Sequence, residues 1–251
     1  MYKRQVLVVH LSVLFNILLA YGVVPDAFGH GVIIPLIKNA DGDKTKSDNY
    51  CGITLSPVLS KLFESVLIDL FGSHLCSDRL QFGFKSKSSC SHAIFTLRTI
   101  TDHYVRNGAT VTVCALDISK AFDRVDHFAL MRLLTERQLP RNFISILLDW
   151  FRKCYASVRW GGVYSHFFPI LAGVRQGGLL LPLLFAIYMD SLCIRLRSCG
   201  LGCRLLDEFF GCLLYADDIV LVTHSVNVMR IMLDICEKFA VDFDIKFNGS
   251  K

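Results

Sequence analysis

Two adjacent aspartates stand between two short apolar runs in the last part of this sequence. They belong to Tyr215-Ala216-Asp217-Asp218, within the segment CLLYADDIVLVT. Aspartate is depleted in strands, so an acidic pair here indicates either a turn or a site that needs carboxylates. A third acidic residue, Asp117, follows the β-branched segment TVTVCAL, where it could equally well cap the next helical turn.

Carboxylates that converge from separate strands would form a site for divalent cations. Hard oxygen ligands select Mg²⁺ or Mn²⁺. Two such ions about 3.5–4 Å apart serve phosphoryl transfer, because one activates a hydroxyl group and the other holds a triphosphate. Clustered carboxylates raise one another's pKa unless a cation lies among them. Two interpretations therefore stay open at this point, ordinary turn and capping chemistry or a two-metal site.

The hydrophobic pattern predicts the strands that would hold these aspartates. Residues 110–116 alternate as a strand, and residues 211–215 and 219–223 are short apolar runs on either side of the acidic pair. Gly161-Gly162 predicts a two-residue hairpin turn. An apolar strand at 32–37 is followed by the polar residues 39–50, which predict an exposed loop leading to a helix.

Helical spacing predicts the remaining elements. One helix starts at Pro57 with Ser56 as its cap, and its apolar stripe comprises Leu59, Leu62, Phe63, Val66, Leu67 and Leu70. Further helices are predicted around 128–134, from Pro140, over 182–192 and over 226–240. Mixed helices and antiparallel hairpins predict an α+β fold rather than a doubly wound sheet.

Composition narrows the class of protein. The 251 residues are 53% hydrophobic and 20% charged, so a substantial core can form. The net charge of +5 permits nucleic-acid binding without demanding it. None of the 10 cysteines forms a CxxC pair, which favours free thiols in a reducing compartment over a zinc site or disulfides.

The amino-terminal residues permit two interpretations. Lys3 and Arg4 precede an apolar stretch at 6–24, which imitates a signal peptide or a membrane anchor. Its leucines and Phe15 recur at helical spacing, which favours a buried amphipathic helix instead. Residues 1–5 share no pattern with the apolar stretch and are interpreted as a leader that need not be native.

Seven ordered blocks resemble the reverse transcriptase domain of non-LTR (LINE-type) retrotransposons, and together they cover nearly the whole chain. The blocks are FGHGVIIPLIK, DNYCGITLSPVLSKLFE, LQFGFKSKSSCSHAIFTL, ALDISKAFDRVDH, GVRQGGLLLPLLFAIYMDSL, LLYADDIVLV and FDIKFNGSK. The resemblance implies an RNA-directed DNA polymerase with the fingers and palm of a right-hand polymerase and an antiparallel palm sheet packed on helices.

The resemblance also implies roles for single residues. Asp117 and Asp217 would bind two Mg²⁺ or Mn²⁺ ions, and Asp218 would complete the acidic cluster. Phe122 would lie under the sugar of the incoming nucleotide and disfavour a 2′-hydroxyl, although taken alone it is equally a core aromatic. The other expected contacts are Arg175, Gln176 and Gly177 at the nascent base pair, Lys38 near phosphates, and Lys251 as the proton donor to pyrophosphate.

Domain limits and partners follow from the same resemblance. Fingers are expected at about 6–109 with a further segment at 140–170, and palm at about 110–139 and 171–251. A thumb is expected to be absent, because the sequence ends at Lys251. The expected partners are an RNA template, a DNA primer, deoxynucleoside triphosphates and the remainder of a retrotransposon polyprotein. The expected location is nuclear or cytoplasmic, without secretion or stable membrane association.

Two positions depart from the family pattern. Cys51 stands directly after Asn49-Tyr50, where an arginine that contacts the triphosphate is usual, and a thiol cannot replace a bidentate guanidinium. Leu181 stands before Pro182, where serine is usual. The alternative function is therefore a catalytically weakened or inactive relic that folds and binds nucleic acid.

Overall fold

The computed structural model describes residues 2–174 and 177–249. The helices are α1 (Tyr2–Tyr21), α2 (Asp26–Gly29), α3 (Val58–Phe71), α4 (Cys90–Arg106), α5 (His127–Glu136), α6 (Arg141–Arg152), α7 (Leu181–Ser198) and α8 (Val226–Asp242). The strands are β1 (His30–Ile37), β2 (Tyr50–Leu55), β3 (Thr112–Leu116), β4 (Tyr155–Trp160), β5 (Val163–Tyr164), β6 (Phe168–Pro169), β7 (Arg204–Leu205), β8 (Glu208–Phe209), β9 (Cys212–Tyr215) and β10 (Asp218–Thr223).

The chain divides into two compact units, and each is discontinuous in sequence. The first unit comprises Met1–His74 and His127–Leu181, and the second comprises Leu75–Asp126 and Pro182–Lys251. Both units combine helices with strands, so the predicted α+β class is confirmed. The names fingers and palm for particular segments stay a prediction.

The sheet of the second unit has three antiparallel strands in the order β3-β10-β9. These are the strands predicted before Asp117 and on either side of Ala216, and all three predictions are confirmed. Helix α8 packs against β10 and β3, and α4 packs against β9. The sheet buries Leu214, Ile219 and Leu221 completely. The predicted antiparallel sheet packed on helices is therefore present.

The sheet of the first unit has the order β2-β1-β4-β5, with β6 also paired to β4. Strands β1 and β4 pair with each other in parallel, and a long stretch of sequence separates them. The hairpin predicted at Gly161-Gly162 is confirmed as β4–β5. The predicted passage from loop directly into helix was wrong, because residues 50–55 form β2 antiparallel to β1. Residues 50–55 become a strand because they pair with β1, and the preference of a segment for strand depends on such pairing.

Helix α3 buries part of the predicted apolar stripe, including Phe63 and Leu67. It begins at Val58 without a side-chain cap, so the prediction that Ser56 caps it was wrong. Its buried residues are Ser60, Phe63, Glu64 and Leu67, whereas the predicted stripe members Leu59, Leu62 and Leu70 are exposed. The helix is turned so that a carboxylate faces the interior, where it accepts backbone hydrogen bonds.

An aromatic cluster forms the core of the first unit. The rings of Phe15, Phe28, Phe63 and Trp150 lie with neighbouring centroids 5.1–6.1 Å apart. Trp150 also donates its indole N–H to the carbonyl of Phe28 at 3.1 Å. Phe15 lies on α1, whose predicted inward face is therefore confirmed. Within the described residues, no helix has both the length and the hydropathy that crossing a membrane requires.

The cysteines are free thiols, and several are core residues. Burial raises the pKa of Cys236 on α8 to about 12. Burial likewise raises the pKa of Cys203 to about 11, against a hydrogen bond with Tyr104 that lowers it. These thiols stay protonated at neutral pH, so they act as small apolar side chains.

Candidate active site

Asp117 and Asp218 lie on neighbouring strands of the second unit. Asp117 directly follows β3, and Asp218 is the first residue of β10. The two strands pair antiparallel with Leu116 opposite Ile219 as the last registered pair, and Asp117 and Asp218 are the residues next to that pair. The fold thereby brings together two carboxylates from distant parts of the sequence.

Both aspartates line one groove of about 750 Å³ along this end of the sheet. Tyr215 and Asn248 also line it, and most of its other walls are apolar side chains of α4, β9 and β10. Asp117 is half-buried and Asp218 is exposed. The polar end of the groove is therefore open to a charged ligand.

Asn248 orients the carboxylate of Asp117. Its side-chain amide donates to Oδ2 of Asp117 at 3.1 Å, and its backbone N–H donates to the Asp117 carbonyl at 2.8 Å. Ile118 pairs antiparallel with Phe247 beside this contact. Sequence analysis gave Asn248 no role. Its place before Gly249 suggests a turn and conceals that the side chain binds back onto the strand.

The turn between β9 and β10 contains two residues, Ala216 and Asp217, because Tyr215 pairs with Asp218. Ala216 has a φ of +57°, a conformation that hairpin turns use and that favours glycine. Asp217 is half-buried at the tip of this turn. The backbone conformation of the turn sets the direction of its side chain, because the alternation of side chains along a strand does not extend into the turn.

The predicted site of three carboxylates stays a prediction. Across residues 2–174 and 177–249, no group of three or more His, Cys, Asp or Glu side chains is spaced to hold a metal ion. The structure brings Asp117 and Asp218 together, and the part of Asp217 stays a prediction. Two carboxylates are nevertheless a donor set that suits Mg²⁺, which is usually held by one or two carboxylates together with substrate phosphates and water.

Phe122 stands in a short 3-10 turn, Ala121–Arg124, that follows Asp117. Its ring centroid is 4.7 Å from that of Phe185 and 5.8 Å from that of Phe84, and its side chain is half-buried. The ring is therefore supported by aromatic packing on two sides. A contact with a nucleotide sugar stays a prediction.

The predicted nucleotide contacts Gly177 and Lys38 belong to the first unit. Lys38 is exposed just after β1, and its backbone N–H donates to the Asn49 carbonyl at 2.8 Å. Gly177 has a φ of +120°, and a Cβ there would lie 2.4 Å from the carbonyl oxygen of Thr54 on β2. Only glycine fits this close approach. The predicted residues Arg175, Gln176 and Lys251 lie outside the described residues.

Glu64 holds the chain that follows Gly177. Its carboxylate accepts hydrogen bonds from the backbone N–H groups of Leu179 and Leu180, the latter at 2.9 Å. A Cβ on Gly178 would lie 2.9 Å from Glu64 Oε2. Glu64 is only 4% exposed, so this is an internal support. Sequence analysis missed it, because a glutamate within a helix usually faces water.

Comparison with known families identifies the chain. Residues 38–251 match the family model "Reverse transcriptase (RNA-dependent DNA polymerase)". The chain therefore belongs to the reverse transcriptase family, and the membership predicted from its sequence blocks is confirmed.

Its relatives include proteins of non-LTR retrotransposons. The chain is 24% identical to the RNA-directed DNA polymerase from mobile element jockey of Drosophila melanogaster, over 96% of its own length and 27% of that protein. It is 25% identical to the Pol polyprotein of the type-2 retrotransposable element R2DM of the same species, over 79% of its own length. It spans 19% of the R2DM protein, so it matches about a fifth to a quarter of these relatives.

Solved structures with the same fold include yeast telomerases. An apo telomerase from Candida tropicalis, truncated from its C-terminal domain, aligns with a TM-score of 0.63 at 14% identity, over 91% of this chain and 50% of that one. A telomerase from Candida albicans aligns with a TM-score of 0.61 at 16% identity, over 89% and 42% of the two chains. At these identities the likeness concerns the fold alone.

Proposed function

We propose that this chain is a template-directed polymerase domain that adds deoxynucleotides to a primer 3′-hydroxyl as part of a retrotransposon polyprotein. One observation carries the proposal: Asp117 and Asp218 stand at the adjoining ends of the paired strands β3 and β10 and line the same open groove. Carboxylates that share one groove repel each other unless a cation lies among them.

A pair of Mg²⁺ or Mn²⁺ ions would be held by Asp117 and Asp217, with Asp218 as the third member of the acidic cluster. When bound, the ions would lower the pKa of the primer hydroxyl and neutralise charge on the triphosphate. The protein's own part is to position the reacting groups and to supply fixed charge. Asn248 contributes by fixing the direction of the Asp117 carboxylate.

The remaining predicted residues would act on the substrates. Phe122, supported by Phe185, would lie against the sugar and exclude a 2′-hydroxyl. The other roles in this proposal are Arg175, Gln176 and Gly177 at the base pair, Lys38 near the phosphates, and Lys251 as a proton donor to pyrophosphate. The template would be RNA and the primer DNA, and the reaction would take place inside the cell.

Primer extension tests the proposal. Poly(rA)/oligo(dT), dTTP and Mg²⁺ or Mn²⁺ are supplied to the wild type and to Asp117→Asn, which keeps the shape that Asn248 contacts. We expect the substitution to reduce incorporation roughly a thousandfold, the scale of losing a central electrostatic group. Asp102→Asn, an exposed aspartate on α4, is the matched control. Equal incorporation by the wild type and Asp117→Asn would contradict the proposal.

The second candidate function is an inactive or weakened relic, and Cys51 favours it. Cys51 lies on β2 opposite Leu36, at the position where the resemblance to the family implies an arginine. We expect Cys51→Arg to raise kcat/KM for dTTP about tenfold, part of what one electrostatic donor contributes. A wild type without activity that gains incorporation through Cys51→Arg would identify the chain as such a relic.

A further inference from the structure

Gln81 binds the turn that carries the acidic pair. Its Oε1 accepts the backbone N–H of Ala216 at 3.0 Å, and its Nε2 donates to the Ala216 carbonyl at 3.2 Å. One side chain therefore satisfies both backbone hydrogen-bonding groups of the residue that precedes Asp217. Gln81 itself has no exposed surface, so water does not reach its carboxamide.

The backbone around Gln81 continues this contact. Phe82 N–H donates to the Leu214 carbonyl at 2.8 Å, and Leu214 N–H donates to the Leu80 carbonyl at 2.8 Å. At Gly83, a Cβ would lie 2.3 Å from the backbone nitrogen of Ala216, so a larger residue cannot approach. Gly83 N–H also donates to Gln81 Oε1 at 2.8 Å. The segment thus lies against β9 and the turn, with an isolated parallel bridge between Gln81 and Leu214.

The turn needs support from outside. A two-residue hairpin with positive φ at its first central position favours glycine, and an L-residue there carries a steric cost. Ala216 occupies this position at φ +57°. Because its N–H and carbonyl are both bound by Gln81, a return of Ala216 to negative φ would break two buried hydrogen bonds.

The segment that carries Gln81 is itself fixed to α7. The carboxylate of Asp78 accepts two hydrogen bonds from Arg197 at 2.7 and 2.8 Å, and Asp78 N–H donates to Asp190 at 2.9 Å. Lys85 donates to the Asp78 carbonyl at 2.9 Å. The support of the turn is therefore connected to a long buried helix.

We propose that Gln81 is the positioning residue for the catalytic turn: it holds Ala216 in the left-handed conformation that sets the directions of Asp217 and Asp218. This role rests on the proposed polymerase function, because it concerns the aim of the two carboxylates. Displacement of a reacting group by about 1 Å costs on the order of a hundredfold in rate. Gln81 acts through the backbone of Ala216 and touches no substrate.

The test compares Gln81→Met with Cys236→Ala. Methionine fills about the same buried volume and removes both hydrogen bonds, whereas Cys236→Ala trims a buried side chain on α8 and leaves both hydrogen bonds of Gln81 in place. Hydrogen exchange of the Ala216 amide is measured in both variants without substrate. We expect exchange to rise at least about 30-fold in Gln81→Met and to stay within about twofold in Cys236→Ala.

Steady-state kinetics supply the second measurement. We expect Gln81→Met to lower kcat about 100-fold while KM for dTTP stays within about threefold. The reason is that the directions of the Asp217 and Asp218 side chains change, whereas nucleotide binding does not. A kcat equal to that of Cys236→Ala, or an unchanged exchange rate at Ala216, would overturn the proposal. If the wild type and Asp117→Asn incorporate equally, the polymerase function fails, and the exchange measurement still decides whether Gln81 holds the turn.

Discussion

Val24 in the first unit and Ala216 in the second are held in the same way by different chemistry. Each has both its N–H and its carbonyl bound by side chains from distant sequence. At Val24 the acceptor is Asp149 at 2.8 Å and the donor is Lys153 at 2.7 Å, and these two also pair with each other at 2.8 Å. At Ala216 one neutral carboxamide does both.

The difference follows from burial. Asp149 and Lys153 have side chains 23% and 30% exposed, so water partly solvates their charges. Gln81 has no exposed surface. A charged pair there would carry a desolvation penalty, whereas a carboxamide offers one donor and one acceptor at a smaller cost. The surroundings of a backbone group therefore determine which side chains can bind it, and four substitutions test this rule.

Gln81→Glu should have the largest effect on stability. The glutamate side chain can still accept the Ala216 N–H, but it cannot donate to the Ala216 carbonyl. It also places a negative charge at a position without exposed surface. We expect the free energy of unfolding in urea to fall by about 4 kcal/mol. Gln138→Glu is the matched control, because Gln138 is exposed. A loss of less than about 1 kcal/mol for Gln81→Glu would break the rule, on the same scale.

Glu64→Ala sharpens the rule, because Glu64 is both charged and buried. Its carboxylate accepts hydrogen bonds from the backbone N–H groups of Leu179 and Leu180, and a carboxylate can accept both because it needs no donor of its own. We expect the substitution to lower the free energy of unfolding by about 3 kcal/mol, because one buried and one part-buried amide lose their acceptor. Glu136→Ala on α5, 62% exposed, should change it little. Similar losses in both variants would refute this account.

Gly83→Ala tests whether the approach of the backbone to Ala216 matters. The added Cβ meets the Ala216 nitrogen at 2.3 Å, so the segment must move. We expect a loss of about 2 kcal/mol, typical of overpacking, measured by urea unfolding. At Gly72 an added Cβ would meet no atom within 4 Å, so Gly72→Ala is the control. Equal stability of the two variants would count against a close contact.

Asp149→Asn should have the smallest effect, about 1 kcal/mol near neutral pH, and the effect should depend on pH. Burial acts to raise the pKa of Asp149, but hydrogen bonds from Lys153 and the Val24 amide outweigh it and lower the pKa below 3.8. Its contribution is therefore present above pH 3.8 and is lost as pH falls through the lowered pKa.

At alkaline pH the stabilising contribution of Lys153 depends on pH in the opposite direction. A hydrogen bond to Asp149 raises the pKa of Lys153 above 10.5 against the effect of burial, so its contribution is lost only as pH rises beyond that value. Urea unfolding of wild type, Asp149→Asn and Gln81→Met across this range measures both limbs. The deficit of Asp149→Asn should shrink at acid pH, whereas that of Gln81→Met should stay constant. The exposed Asp69→Asn on α3 is the control, and parallel profiles for Asp149→Asn and Gln81→Met would remove the distinction.

Local pattern predicted the parts of the molecule whose partners are close in sequence. The hairpin around Ala216 and the hairpin at Gly161-Gly162 were found because turn residues and flanking apolar runs lie within one short window. The inward face of α1 was found for the same reason. By contrast, β2 was missed, because its strand character comes from pairing with β1 and its own residues give a weak signal.

The sequence by itself determined the family, the α+β class and the order of the acidic residues along the chain. These follow from residue types and short spacings. The tertiary structure decided that Asp117 and Asp218 line one groove, that Glu64 turns inward, and that Gln81 binds Ala216. Each depends on the register of segments far apart in the chain. A buried polar side chain takes its role from the backbone groups it meets, and no local pattern records which groups those are.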